Sequence, residues 1–301
     1  MAADRGFVGM VLIIGIVWIC MLILKERRQT PAAAAAATVA VATMMRKPVD
    51  VALWLEHHRK IGIRKFYIRL EDSPGTVAFL KDQPDVEFEE GKSGTENNYT
   101  LQVDRQVAFV NTILPKALAE GIDWVFHIDV DELLEGDPVQ VMGAIPSTFK
   151  IAKLKNAEAV YEEEEGTCFS AKRFIRCDKG GPCTAYVNGK GAGRAVEGVR
   201  CGGAHDFQYN GKHGDKETCY EIPFEDLHIL HYDSCTLGMW MEKFKHMSKK
   251  AKLDDIVFPY YRKSLDAATQ AADVYKEHKM RDPDSMDKEW TYIRSGGPVT
   301  F

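Results

Sequence analysis

The chain has 301 residues, a formal net charge of −5, and 45% hydrophobic against 28% charged residues. This is an ordinary globular composition, long enough to bury a core without staples. The acidic balance argues against a surface built to hold nucleic-acid phosphates, and no internal repeat is evident.

The first predicted element is FVGMVLIIGIVWICMLIL, Phe7 to Leu24, which has no charge and no proline. As a helix it runs about 27 Å, close to the thickness of bilayer hydrocarbon. Lys25 to Arg28, KERR, stops it. A signal peptide has a shorter apolar region, and a core helix is seldom apolar on every face, so residues 1–28 read as a membrane anchor. Residues 29–37, rich in alanine, read as a stem. Counting Lys and Arg, KERR outweighs Arg5 and favours a cytosolic domain. The sequon Asn98-Tyr99-Thr100 and the even set Cys168, Cys177, Cys183, Cys201, Cys219 and Cys235 favour the lumen, permitting up to three disulfides without showing any. Orientation stays open on these grounds. The reading adopted is a type II single-pass protein of the Golgi or endoplasmic reticulum, with a lumenal domain.

Val39 to Met45 reads as a buried strand. VDVALWLEHHRKIG reads as an amphipathic helix stopped by Gly62, and IRKFYIRL as a second strand. TVAFLKDQ is a short helix and VEFEEG a third strand. The stretch from Thr100 to Gly121 is a long helix, which Pro115 is expected to kink or split. DWVFHIDV is the fourth strand. The β-α-β-α-β-α-β order predicts a mostly parallel sheet flanked by helices. After Gly136 regularity fades. FKIAKLKNAEAVY and DLHILHYDS look like strands around a glycine-rich polar stretch, and TLGMWMEKFKHMSKKAKLDD reads as a helix. Residues 38–260 read as one domain and 261–301 as a helical, charged tail.

The fourth strand ends in Asp129-Val130-Asp131. In an open α/β sheet, ligands bind beyond the carboxyl ends of the strands. In extended backbone Asp129 and Asp131 share a face, separated by about 7 Å along the chain. That arrangement suits a hard divalent cation, Mn2+ or Mg2+, and the phosphates it carries. A calcium loop is excluded, because Leu133 and Leu134 stand where an oxygen ligand and a glycine are needed.

Four segments resemble the family 2-like glycosyltransferases of GT-A fold, especially the branch related to family 92. They are ATMMRKPVDVALWLEHHRKIGIRKFYIRLEDSP, GIDWVFHIDVDELL, AYVNGKGAGRAV and LHILHYDSCTLGMWMEKF, spanning roughly residues 38–250. The resemblance implies transfer of a sugar from a nucleotide-sugar donor, UDP- or GDP-linked, to a hydroxyl of a glycan, protein or lipid. It implies a metal held by Asp131 with Asp129 beside it, and His231 returning towards that metal, with His228 as its rival. Neutral imidazole is a ready ligand. It places Asp72, with Glu71 second, against the nucleotide base, and Thr43 and Arg46 along the nucleotide. Lys190 and Arg194 become phosphate or sugar contacts, or else a solvated basic loop. Asp206, next to His205, is the candidate base for the acceptor proton, although related sequences often carry a basic residue there. Asp215, Glu221 and Asp226 remain its rivals, and the choice between inversion and retention stays open. Trp54, Trp124 and Trp240 are expected in the core, and YEEEEG as a solvated turn.

VFHIDVDELL also resembles the first motif of haloacid-dehalogenase-like phosphatases, with Asp129 as nucleophile. Three predicted strands come before it, and Glu132 stands where Thr or Gly is expected; both features oppose that reading. A membrane-tethered carbohydrate-binding protein that has lost catalysis is the non-enzymatic alternative.

Overall fold

Residues 36–93, 99–161, 168–181, 183, 185–236, 238–241, 288 and 291–295 are described by the computed structural model. The predicted anchor, most of the stem, Asn98 of the sequon, most of YEEEEG, and nearly all of the helix after Leu237 and of the tail lie outside the described residues. Among the described residues no helix is long and apolar enough to cross a membrane.

β1 (Val39–Arg46) is an inner strand of the sheet. Its side chains alternate between two apolar layers, with Val39, Val41 and Met45 in one and Ala40 and Ala42 in the other. Burial on both faces is what a parallel strand covered by helices requires. α1 (Val51–Lys60) covers the first face with Leu53, Trp54 and Leu55. α3 (Tyr99–Ala119) covers the second with Phe109, Val110, Ile113, Leu114 and Ala117. The helix assignment of α3 runs without a break through Pro115. Between them come β2 (Lys65–Glu71), α2 (Pro74–Lys81) and β3 (Val86–Gly91). β4 (Trp124–His127) follows α3 and pairs parallel with β1, so the order here is β3-β2-β1-β4. The direction of winding reverses between β1 and β4, and a crevice opens at such a reversal in doubly wound sheets.

The second half of the chain completes the sheet in mixed orientation. β5 (Glu132–Gly136) leads to α4 (Pro138–Ala144), whose first turn is capped by Asp137 accepting from the Gln140 amide at 3.0 Å. β6 (Ile151–Val160) is shared: its first half pairs with β8 (Lys190–Arg194), and its second half with β7 (Arg173–Arg176) and β13 (Leu227–His231). β8 runs antiparallel to β4, and β13 antiparallel to β5. β9 (Val199–Cys201), β10 (Phe207–Tyr209) and β11 (Lys212–His213) make a separate small sheet, while β12 (Cys219–Glu221) pairs with β6. β14 (Thr291–Ile293) adds to the edge of β7, so this part of the predicted tail belongs to the sheet. The whole is a large mixed sheet flanked by helices, parallel from β4 to β3 and mixed beyond.

Two disulfides form, Cys168–Cys235 and Cys177–Cys183, while Cys201 and Cys219 are free. Trp54, Trp124 and Trp240 are buried.

Candidate active site

β4 ends at His127, earlier than the apolar run suggests, and the acidic triplet forms a turn. The Glu132 amide donates to the Asp129 carbonyl at 3.1 Å, and the Asp129 amide donates to Glu132 Oε2 at 2.7 Å. Asp129 and Asp131 therefore do not share a strand face. They stand at separate corners of the turn, which relieves the repulsion that adjacent carboxylates on one face would suffer.

Asp129 faces β8 and α3. Its Oδ2 accepts from Lys190 Nζ at 2.5 Å and its Oδ1 from Gln106 Nε2 at 3.0 Å. Lys190 is fully buried and also donates to the Ala204 carbonyl at 3.2 Å. Its Nζ lies 3.4 Å from Glu132, which is fully buried too. Desolvation opposes the Asp129 charge, but Lys190 outweighs it and holds this carboxyl well below the usual range. Burial likewise disfavours the Lys190 ammonium, and Asp129 with Glu132 overcomes that and raises its pKa. Glu132 is pushed up, by burial first. Its other oxygen, Oε1, accepts from the Tyr186 hydroxyl.

Asp131 faces the other way. His231 Nε2 lies 3.7 Å from Asp131 Oδ2, and the Tyr232 amide donates to the Asp131 carbonyl at 2.7 Å. His231 is the last residue of β13 and sits opposite Glu132 in the antiparallel pairing. Two residues on, Asp233 completes a set: one ligand atom each from Asp131, His231 and Asp233 lie within 4.8 Å of one another. His231 and Asp233 are buried, whereas the Asp131 side chain is 37% exposed, so the set opens to solvent on the Asp131 side. Burial opposes a charge on His231, but Asp131 outweighs it and raises the imidazole. His231 Nδ1 is buried without a hydrogen-bond partner among the described residues. Two carboxylates and one imidazole are a donor set that suits Mn2+, Mg2+ or Zn2+. Asp233 was not anticipated from the sequence, although its H-x-D spacing from His231 repeats that of D-x-D.

The remaining candidates divide between this site and elsewhere. Thr43 is fully buried in β1, and its hydroxyl has no partner among the described residues. Arg46 ends β1 beside Asp72, 3.8 Å away. Asp72 accepts from the Ser93 hydroxyl and amide, which lower its pKa. Glu71 is enclosed by arginines: Arg105 reaches it with two bonds of 2.8 and 3.1 Å, and Arg69 with one of 3.0 Å. Its carboxylate is thereby committed to the protein interior. Asp206 pairs with Lys153, whose Nζ also donates to the His205 carbonyl at 2.9 Å. The same loop covers Lys190 through Ala204. His205 donates from Nδ1 to the Gly189 carbonyl at 2.8 Å, and burial lowers its pKa to about 4.

Arg194 is not at the site. β8 runs antiparallel to β4, so Lys190 falls at the acidic end and Arg194 opposite Trp124 at the other, about 13 Å away by strand rise. There it donates to the carbonyls of Ile145 (2.7 Å) and Phe149 (2.8 Å) and stacks on Trp124. His228 is at the far end of β13, stacked on Phe224 and donating to its carbonyl at 2.7 Å. Asp215 closes a turn by accepting from Thr218, and Glu221 pairs with Lys155 at the surface. The backbone of Asp226 lies against Gly136, at the opposite end of β5 from the acidic turn.

No family model matches the chain. Two Arabidopsis thaliana proteins described as glycosyltransferase-like are each 24% identical over 60% of this chain. The similarity is to glycosyltransferase-like proteins. The chain spans less than half the length of these relatives, 43% of one and 49% of the other. Among solved structures, mannose-1-phosphate geranyltransferase from Thermus thermophilus aligns over 80% of this chain and 67% of its own, at 11% identity and a TM-score of 0.28. HddC from Yersinia pseudotuberculosis aligns over 46% of this chain and 68% of its own, at 12% identity and a TM-score of 0.26.

Proposed function

We propose that the chain is a glycosyltransferase of GT-A type that moves a sugar from a UDP- or GDP-linked donor to a hydroxyl acceptor with the help of a divalent metal. One observation carries this reading: Asp131, His231 and Asp233 converge at the end of the sheet where winding reverses. The similarity to glycosyltransferase-like proteins supports sugar transfer over the phosphatase alternative. The sequence resemblance to the family 92 branch agrees with it.

In this reading Asp131, His231 and Asp233 hold Mn2+ or Mg2+. When held there, such an ion would supply Lewis-acid charge against the departing diphosphate. Arg46 and Asp72, at the ends of β1 and β2, line the nucleotide, whereas Thr43 is enclosed within β1 and does not reach it. Asp129 stands beside the metal set without joining it, held by Lys190 and Gln106. Asp206, supported by Lys153, takes the acceptor proton. An inactive carbohydrate-binding protein would keep the fold and lose turnover. The two disulfides favour an oxidising compartment, supporting the lumen of the Golgi or endoplasmic reticulum over the cytosol. Residues 1–28 serve there as the membrane anchor.

The test is a thermal-shift panel of nucleotides and nucleotide sugars with and without Mn2+, followed by donor hydrolysis. A ligand that raises the midpoint only with Mn2+, and is then turned over, supports the proposal by linkage. Metal-dependent binding without turnover of any donor favours the binding protein, and no metal-dependent ligand at all sinks both.

A further inference from the structure

We propose that Lys190 is a positioning residue that acts as a built-in cation for the acidic turn. Its ammonium fills the place between Asp129 and Glu132 that a metal ion would otherwise take, and leaves Asp131 to His231 and Asp233. This deepens the metal-site reading above and rests on it.

The geometry leads here directly. Four residues, Asp129 to Glu132, contain three carboxylates. Unpaired, they would repel one another and resist burial. Lys190 Nζ lies 2.5 Å from Asp129 and 3.4 Å from Glu132, with no side-chain exposure of its own. An ammonium has no open coordination position, so the acids it satisfies are withdrawn from a second ion. Asp131 is the acid of the three with which no lysine pairs among the described residues.

The segment that delivers Lys190 is fixed from several sides. Tyr186, four residues earlier, donates to Glu132 and lies against His231, with ring centroids 4.8 Å apart. Asn156 Nδ2 donates to the Tyr186 carbonyl at 3.0 Å. Gly189 has φ +65°, and a Cβ there would stand 1.8 Å from the Leu154 carbonyl oxygen, so only glycine lets the segment pass this close to β6. The segment that carries Lys190 is thus held against β6 by contacts other than the lysine's own ion pairs.

The experiment is Mn2+ binding to the full-length chain, followed by electron paramagnetic resonance of free Mn2+ and by the Mn2+-dependent rise in unfolding midpoint. The proteins compared are wild type, Lys190→Met and the double variant Asp129→Asn with Lys190→Met. Wild type is expected to bind one Mn2+. Lys190→Met should be destabilised without metal and should bind either a second Mn2+ or the first about tenfold more tightly, because an ion now replaces the missing charge between buried Glu132 and partly exposed Asp129. Its Mn2+-dependent midpoint rise should exceed that of wild type. The double variant removes both charges and should return the stoichiometry and the midpoint rise to wild-type values.

A lysine that only stabilises the fold would lower the midpoint of Lys190→Met equally with and without Mn2+, and that result overturns the proposal. If Lys190→Met does not fold, the double variant decides. Wild-type Mn2+ binding is the result the proposal requires of it, and lost binding shows that Asp129 is itself a ligand and overturns the proposal. If wild type binds no Mn2+, the metal-site reading and this inference fall together. If wild type binds and Lys190→Met matches it in stoichiometry, affinity and midpoint rise, this inference alone falls.

Discussion

His58 Nε2 accepts the amide hydrogen of Leu134 at 3.2 Å. Its neighbour His57 donates from Nε2 to the Leu134 carbonyl at 2.6 Å, and Trp54 donates to the Glu132 carbonyl at 2.8 Å. Three side chains of α1 thus serve the edge of β5 that β13 does not pair. They fix the strand that leads out of the acidic turn. His58 donates from Nδ1 to the Trp54 carbonyl, so it must be neutral to accept at Nε2. His58→Ala removes a buried ring and leaves the Leu134 amide unpaired. A loss of about 3 kcal/mol is expected, measured by urea unfolding at pH 7.5.

Acid should unfold this protein through its histidines. Burial lowers the pKa of His57, His58 and His127, and takes His205 and His228 to about 4. Unfolded imidazole titrates near 6.5, so below that pH the unfolded chain binds protons that the folded chain refuses. Stability is full above about pH 6.5 and falls towards pH 4, by about 1.4 kcal/mol per pH unit for each such proton. His231 acts in the opposite sense. Asp131 overcomes its burial and raises its pKa, so its contribution is present in acid and is lost as pH rises through the folded value. The five lowered groups outnumber it, and the net slope is acid destabilisation. Urea midpoints between pH 7.5 and 4.5 give the slope, and His228→Gln should reduce it by close to one proton.

Asp131→Asn, His231→Ala and Asp233→Asn should each abolish the Mn2+-dependent part of nucleotide binding, a loss of tenfold or more in affinity, or about 1.4 kcal/mol. Calorimetric titration with and without chelator reads this. Asp206→Asn should keep that binding and lose turnover by about 10²-fold or more, the scale of general-base removal. Loss of binding with Asp206→Asn would make it a ligand contact and not the base.

Arg194→Ala should behave as a folding defect. It removes a stack on Trp124 and leaves the carbonyls of Ile145 and Phe149 without their donor. A cost of about 2–4 kcal/mol is expected, with the metal-dependent midpoint shift intact. A normal midpoint with lost nucleotide binding would place Arg194 at the ligand after all.

The two disulfides should contribute unequally. Cys168–Cys235 closes a separation of 67 residues and Cys177–Cys183 one of 6. Loop-closure entropy predicts about 4 kcal/mol for the first and about 2 kcal/mol for the second. Paired Cys→Ser variants, compared by chemical unfolding, check the ranking.

The first four strands and their helices were legible in the sequence because each apolar run is bounded by turn or capping residues. VEFEEG matches β3 residue for residue. The later strands are short, glycine-rich and mixed in direction, and their partners are distant in the chain, so local pattern carries little of their pairing. The acidic turn reads as strand in the sequence because Ile128 extends the apolar run, while the hydrogen bond from Glu132 to Asp129 that bends the chain leaves no trace in periodicity. The nearness of His231 to Asp131 was anticipated from the resemblance. The separation of Lys190 from Arg194 was not, because nothing local to NGKGAGR states that its strand runs against β4. Glu71, read as a nucleotide contact, is claimed by Arg69 and Arg105, and Arg105 lies 34 residues away on another element.

Arg294 donates to Glu135 at 3.0 Å and to His57 Nδ1 at 3.2 Å, the latter across 237 residues of sequence. The imidazole that steadies Leu134 is therefore itself steadied by a residue the ribosome makes much later. A nascent chain halted before Thr291 leaves one side of β7 bare and Glu135 without its guanidinium. Synthesis must run almost to the end of this sequence before the layer behind the acidic turn is sealed.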